Sequence, residues 1–164
     1  SSNIPKYYRS LWHYAISRTH NRPRDVIKLM KICQELDKSG PLDYKHLKLI
    51  EQDYSKWFFK ELIDEIHSHL SCWQNVFDCL ADFTTPTIKT SDVLNDFESD
   101  TLINNFLQND KRYNSPDDIL KLLYDFNIIG LKNNSTKFKY LQDRIYRKSE
   151  HIVIHNGLRP RFKK

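Results

Sequence analysis

Apolar residues recur at every third or fourth position through one long stretch of the chain, which is the spacing of one face of an α-helix. The stretch begins at Asp43 and covers about 24 residues. Its apolar members are Leu47, Ile50, Tyr54, Trp57, Phe58, Leu62 and Ile66. We therefore predict a long helix here. Because shorter apolar runs lie on both sides of it, this helix is expected to join two halves of the molecule.

Two shorter helical patterns precede the long one. The first extends from Ile4 to Arg18, and its apolar positions are Tyr7, Tyr8, Leu11, Trp12, Ala15 and Ile16. The second extends from about Pro23 to Asp37 and is expected to bury a face made of Val26, Met30, Cys33 and Leu36.

The second helix also carries recognisable end signals. Asn21 can serve as its N-cap, and Pro23 suits the first turn, where its missing N–H has no cost. Asp25 suits the positive end of the helix dipole. Gly40 fits a C-terminal cap, so the helix is expected to end before residue 40.

Four further helices are predicted after residue 70. They cover residues 72–83, a segment capped by Ser91 that continues to Phe97, residues 100–107, and a segment that ends at Phe126. The last of these has the strongest start signal, because Ser115 and Pro116 are followed by two aspartates that favour the positive helix end.

Strand-like patterns follow the last of these helices. Ile88 fits a short strand, residues 127–131 a second, residues 138–141 its partner across a turn at 132–137, and residues 151–155 the clearest strand. Helices followed by a strand pair around a basic turn are typical of a winged helix-turn-helix. The predicted fold is therefore mainly α, with a helical unit at 1–70 joined by the long helix to a winged-helix domain at 71–164 with a small β-wing.

The net charge of +5 is concentrated at the C-terminal end. Residues 137–164 contain nine basic and two acidic side chains, whereas the residues before them carry a net charge of −2. Such a patch can follow a nucleic-acid backbone, bind another acidic partner or only aid solubility. The residues predicted to contact nucleic acid are Lys132, Lys137, Lys139, Arg144, Arg147 and Lys148. The predicted helix ending at Phe126 is a poor groove-binding helix, because its aspartates outnumber its lysine.

Several kinds of site are not indicated by the sequence. The cysteines, Cys33, Cys72 and Cys79, are odd in number and lack the spacing of zinc ligands, which favours core positions in a reduced, cytoplasmic protein. No apolar run reaches the length of a membrane span, and no P-loop or Gly-rich dinucleotide motif occurs. We expect no metal site and no catalytic site in this chain.

Arg22 and Arg24 stand out because arginine in a first helical turn opposes the helix dipole. Solvated surface arginines and arginines directed at an anion are both consistent with this. The segment from Arg22 through Ile27, with the apolar face that follows, resembles the helical-lid motif of FunZ-type prokaryotic P-loop ATPases, which are relatives of the AAA+ and STAND ATPases. Residues 54–57 and 61–65 resemble the long helix after that lid, and residues 128–130, 138–140 and 152–158 its winged-helix end.

The resemblance implies a regulatory, non-catalytic portion of a larger ATPase. Arg24, with Arg22 beside it, would sense the nucleotide phosphates in the manner of a sensor 2 arginine. ATP and Mg²⁺ would be bound by an N-terminal ATPase core outside this sequence, and any oligomer would form through that parent protein. Lid and winged helix would move together, with the long helix as the lever.

Three alternatives remain open at this stage. The chain can be a freestanding winged helix that binds nucleic acid, or a module for protein contacts. It can also be an enzyme, for example a ribonuclease that pairs Arg9 with His13 or Arg147 with His151.

Overall fold

The computed structural model describes residues 9–36, 42–133, 135–142 and 145–162. The chain forms two compact units. Unit 1 consists of Ser1–Lys60 with Asn156–Arg161, and unit 2 consists of Glu61–His155 with Phe162–Lys164. The predicted division into 1–70 and 71–164 stays a prediction, and it did not anticipate that a late segment returns to unit 1.

The helices of unit 1 are α1 (Leu11–Ile16), α2 (Pro23–Leu36), α3 (Tyr44–Ile66) and α9 (Arg159–Phe162), of which α3 and α9 extend into unit 2. The predicted long helix is therefore confirmed as the 23-residue α3. Its stripe is buried as predicted at every position except Trp57, which is half-buried. A spacing of three or four keeps these residues on one side of the helix.

The first helix is shorter than predicted within the described residues. It begins after Ser10, whose Oγ accepts a hydrogen bond from the His13 amide at 3.1 Å. The predicted start at residues 4–8 lies outside the described residues. Trp12, predicted to be in the apolar face, is 59% exposed, and Tyr14 is buried instead.

The buried face of α2 was predicted only in part. Cys33 is buried as expected, but Leu29 and Asp25 complete the buried set, whereas Leu36 is 48% exposed. The predicted N-cap is also wrong. Asn21 has a left-handed φ of 59°, and the Arg22 carbonyl accepts the first amide hydrogen bonds of the helix. Arg22 therefore occupies the cap position, because Pro23 is the first helical residue.

A half-buried carboxylate ties α1 to α3. Glu51 accepts hydrogen bonds from the Tyr14 hydroxyl, from Arg18 Nη2 at 3.0 Å and from Lys48 Nζ at 2.7 Å. Burial raises the pKa of Glu51, but the hydrogen bonds from Lys48 and Tyr14 and the charge of Arg18 outweigh it and hold the pKa below its usual value. The Arg18 guanidinium also lies 3.8 Å from the centre of the Tyr14 ring.

The four helices predicted after residue 70 are found at approximately the predicted positions, and a short helix that follows them was not predicted. They are α4 (Trp73–Asp82), α5 (Thr90–Ser99), α6 (Thr101–Asn109) and α7 (Pro116–Asp125), and a short α8 (Lys139–Gln142) follows. Helix α7 begins as predicted after Ser115, whose amide donates to Asp118 Oδ2 at 3.1 Å. Asp100 caps α6 by accepting from the amides of Leu102 and Ile103.

The strands of unit 2 form one antiparallel sheet in the order β1-β4-β2-β3. They are β1 (Thr87–Lys89), β2 (Ile129–Lys132), β3 (Thr136–Lys137) and β4 (His151–Ile154). The prediction of a mainly helical protein with a small sheet is confirmed. Among the described residues, no helix combines the length and the apolar character that a membrane crossing needs.

The predicted strand at residues 138–141 is wrong. Strand β3 ends at Lys137, and residues 139–142 form α8. Two contacts explain the change of direction. The Phe138 ring packs so closely on Gly130 that a Cβ there would lie 2.9 Å from it, and Asn127 Oδ1 accepts a hydrogen bond from the Tyr140 amide at 2.8 Å. Strand β2 pairs along its whole length with β4, whereas only Leu131 and Lys132 pair with β3.

We predict that Glu51→Gln lowers the free energy of unfolding by about 1–3 kcal/mol at neutral pH, because it removes charge-assisted hydrogen bonds from partly buried donors. The pKa of Glu51 in the native protein is lowered. Ionised Glu51 therefore contributes to the free energy of unfolding at pH values above the usual pKa of glutamate, and this contribution is lost as the pH falls through the native pKa. The variant should therefore lose less stability on acidification. Denaturant unfolding at neutral and acidic pH measures both effects.

The control for this variant is Asp53→Asn on the same helix. Asp53 is 63% exposed and its ion pair with Lys56 spans 3.5 Å, so we expect a change within about 0.5 kcal/mol. Equal losses in the two variants would contradict the role of the Glu51 hydrogen bonds.

We predict that Gly157→Ala destabilises unit 1 by about 1–3 kcal/mol through overpacking. A Cβ at this position would lie 2.2 Å from the Arg18 carbonyl oxygen and 3.0 Å from the Phe58 ring. The control is Gly130→Ala, where the new Cβ meets only the Phe138 ring, which can shift more easily than a backbone. Thermal unfolding should show the larger loss for Gly157→Ala, and the reverse order would contradict the packing argument.

Candidate functional site

The first turn of α2 holds the two arginines predicted to meet an anion. The Arg24 side chain is 54% exposed, and its Nε lies 3.5 Å from Asp25 Oδ1. The Asp25 carboxylate is only 1% exposed, and its Oδ2 accepts a hydrogen bond from the His20 amide at 3.2 Å. Arg22 is half-buried at the cap position. Asp25 therefore fixes the start of α2 and provides a counter-charge for Arg24.

An aromatic ring from α3 completes the surroundings of Arg24. The Arg24 guanidinium carbon and Lys28 Nζ each lie 6.0 Å from the centre of the Trp57 ring. This is the outer limit at which a cation is attracted by a ring face. Trp57 lies on α3 next to Phe58, so the position of the ring is set by the buried stripe of that helix.

Tyr54 connects this surface to the interior of unit 1. Its side chain is 1% exposed. Burial raises the pKa of the Tyr54 hydroxyl, and the negative charge of Asp25 raises this pKa further. The positive charge of Arg24 acts in the opposite direction. Within the described residues, Asp25 Oδ1 and Tyr54 Oη are buried without a hydrogen-bond partner. The partly exposed guanidinium of Arg24 therefore lies near the buried Asp25 carboxylate and the buried Tyr54 hydroxyl. A partly exposed guanidinium can bind a phosphate or carboxylate group.

Five of the six residues predicted to contact nucleic acid lie in the described part of the chain, on β2, β3, α8 and the segment before β4. Lys139 Nζ forms an ion pair with Asp125 Oδ1 at 2.7 Å, and Lys132 Nζ donates to Thr87 Oγ1 at 3.0 Å. Lys137 is half-buried on β3, whereas Arg147 and Lys148 are exposed in the segment before β4. Arg144 lies outside the described residues.

Helix α7 does not offer a free face for a nucleic-acid groove. Lys121 is its exposed position, and its remaining residues are buried or half-buried. Its acidic residues have structural roles. Asp118 accepts from the Ser115 amide, Asp117 from the Tyr146 hydroxyl at 2.9 Å, and Asp125 from Lys139. This agrees with the expectation that α7 is a poor groove-binding helix.

Strand register brings two further basic residues beside Lys132. His151 is paired with Lys132 on one side and with Lys89 on the other. Lys89 was not predicted to belong to any site, and His151 was named as the partner of Arg147 in the ribonuclease alternative. In the sequence, each of them is only a basic residue at one end of a short strand. Such residues can be recognised as neighbours only when the order and register of the strands are known.

The three cysteines have the properties of structural residues. Cys33 and Cys72 are buried, Cys79 is half-buried, and all three are free. Burial raises the pKa of each thiol to about 11. No group of histidine, cysteine and carboxylate side chains suited to a metal occurs within the described part of the chain.

These features define a mainly helical protein of two units, with an arginine-bearing helix start in unit 1 and a small antiparallel sheet in unit 2. Residues 4–63 match the family described as the FunZ-associated C-terminal helical domain. Residues 4–63, which include α1, α2 and most of α3, are therefore similar to this family, and the predicted resemblance is confirmed over these residues. The search of curated proteins and the search of solved structures gave no match.

We predict that the cysteines react slowly with a thiolate-specific disulfide reagent at pH 8 in the native protein. A pKa of about 11 leaves a much smaller thiolate fraction than that of an exposed cysteine, so we expect rates roughly a hundredfold below those of the denatured chain. Absorbance of the released thiol, with and without denaturant, measures the ratio. A cysteine that reacts equally fast in both states would contradict the raised pKa.

Proposed function

We propose that this chain is the non-catalytic, regulatory C-terminal portion of a P-loop ATPase, in which Arg24 senses the phosphates of a nucleotide bound by another domain. The observation that carries the proposal is the partly exposed Arg24 guanidinium at the start of α2, within the FunZ-associated domain. ATP and Mg²⁺ belong to the parent protein, and its ATPase core is the first expected partner.

The surroundings of Arg24 suit such a role. Asp25 and Trp57 restrict the guanidinium without burying it, so its donors are held near the protein surface. Because the guanidinium is planar and always charged, it can donate two hydrogen bonds to one phosphate group. Arg22, two residues earlier, adds positive charge at the same helix start.

Helix α3 is our candidate for coupling the two units. It contributes residues to both of them, and Tyr54 and Trp57 near Arg24 lie on it. A change in the contacts of Arg24 would alter the surroundings of this helix. We propose that the nucleotide state reaches unit 2 in this way, in a cytoplasmic protein whose oligomeric state is set by the parent ATPase.

Unit 2 is proposed to act as a winged-helix module that binds nucleic acid or a protein. The order of α5, α7, β2 and β3, with β4 pairing back to β2, supports this assignment. Nucleic-acid binding is favoured by the exposed Arg147 and Lys148 before β4. The buried faces of α7 indicate that any such contact would use the sheet and its loops.

We predict that Arg24→Ala in the parent ATPase lowers ATP hydrolysis by roughly a hundredfold, as expected when a charged donor to the reacting phosphates is lost. Arg24→Lys should restore only part of the activity, because an ammonium group cannot reproduce the bidentate contact. Steady-state hydrolysis and nucleotide binding are the measurements.

The control for Arg24→Ala is Lys31→Ala, which removes an exposed positive charge from the same helix. The control should retain full activity and unfold at the temperature of the wild type. Because Arg24→Ala removes the counter-charge of the buried Asp25, its folding is checked by circular dichroism at the assay temperature. If Arg24→Ala leaves both ATP affinity and hydrolysis unchanged, the sensor role is wrong. The same assay on Arg22→Ala shows whether the second arginine contributes.

A further inference from the structure

We propose that one face of the unit 2 sheet binds the phosphate backbone of a nucleic acid through Lys89, His151 and Lys132, which we call the basic row. This inference deepens the nucleic-acid proposal for unit 2 and does not depend on Arg24. It replaces the predicted patch of sequence neighbours with residues from three different strands.

The sheet register builds the basic row. Lys89 on β1 and Lys132 on β2 are both direct partners of His151 on the intervening β4. Direct partners in an antiparallel sheet project from the same face. Neighbouring strands are about 4.8 Å apart, so the row spans about 10 Å across three strands. Thr136 on β3 is the partner of Lys132 and extends the row with a hydroxyl.

The basic row lies on the sheet face opposite to the one that carries Ile88, Ile152 and Leu131. The next register position holds Ile88, Ile152 and Leu131, which are all buried. Because successive residues of a strand alternate between faces, the basic row faces away from them. Lys89 is exposed, and His151 and Lys132 are half-buried. Farther along the same face, Val153 and Gly130 are buried and Phe138 packs over Gly130, so the basic row is the end of this face whose residues keep some exposure.

Local contacts organise the basic row for an anion. Lys132 Nζ donates to Thr87 Oγ1 at 3.0 Å, so the lysine lies along the sheet surface toward β1, the strand of Lys89. No carboxylate occupies a register position in the basic row. The acidic neighbour along β4 is Glu150, and its backbone carbonyl accepts from the Thr90 amide at 2.9 Å. Lys139, in contrast, is already neutralised by Asp125.

The chemistry of the basic row favours a phosphate backbone over an apolar protein surface. Its members are amines, an imidazole and hydroxyls, and the large exposed hydrophobic residues of unit 2, Leu102, Leu141 and Ile145, lie outside the strands. Contacts of this kind position a nucleic acid without reading its bases. The binding should therefore be independent of sequence and strongly weakened by salt.

The experiment measures binding of the full chain to labelled duplex DNA, single-stranded DNA and duplex RNA by fluorescence anisotropy over a range of salt. We expect the double variant Lys89→Gln with Lys132→Gln to lower affinity about tenfold or more near 0.1 M salt. The slope of log affinity against log salt concentration should become less steep by roughly 2. His151→Gln should lower affinity less. Lys89→Arg with Lys132→Arg should retain binding, because the charges are kept.

The matched control is Lys111→Gln with Lys121→Gln, which removes the same charge from exposed positions of unit 2 outside the sheet. An equal loss of affinity in the control would overturn the basic row as a site, because net charge alone would then explain binding. Unchanged affinity in the Lys89 and Lys132 variant would overturn it as well.

A third pair separates this site from the preceding loop. If Arg147→Gln with Lys148→Gln abolishes binding while the Lys89 and Lys132 variant binds normally, unit 2 binds nucleic acid through the loop and the inference is wrong. Absence of binding to all three probes at low salt would overturn both forms of nucleic-acid binding. The Arg24 proposal is tested separately by ATP hydrolysis and stands or falls without this result.

Discussion

Burial of one side of α3 is the interaction on which unit 1 depends. The buried stripe fixes the rotation of the helix about its axis. This rotation determines which residues the remaining side chains of α3 can contact. Glu51 lies where it can accept hydrogen bonds from Tyr14 and Arg18 near α1. Trp57 lies where Arg24 and Lys28 approach its ring. A helix rotated by one residue would separate all of these partners at once.

In the candidate anion site, the partly exposed guanidinium of Arg24 lies beside a buried counter-charge. Asp25 is almost completely buried, yet its contact with Arg24 Nε spans 3.5 Å and engages one edge of the guanidinium. The contacts with Asp25 and Trp57 limit the space that the Arg24 side chain explores while half of it stays exposed.

Local signals in the sequence predicted most of the helices and little of the tertiary arrangement. The α3 stripe and the Ser115 start signal depend on neighbouring residues along the chain, and both were predicted correctly. The strand prediction at 138–141 was wrong because the apolar Phe138 packs on Gly130 and does not continue a strand.

In α2, periodicity could not distinguish the buried Leu29 from the half-buried Met30. The ion pair of Lys139 with Asp125 could not be predicted from the sequence, because its partners lie on different elements. Lys89 became a candidate only once the strand order was known.

The return of residues 156–161 to unit 1 makes that unit discontinuous in sequence. Gly157 and Leu158 are buried there, and Gly157 lies against Arg18 and Phe58, with almost a hundred residues of chain between them and Lys60. During synthesis, the N-terminal helices leave the ribosome well before this segment does. Unit 1 must therefore complete its core after the chain of unit 2 has been made, and its last contacts close a long loop at an entropic cost. The N-terminal helices can therefore form early, whereas the contacts of Gly157 can form only after unit 2 has been synthesised.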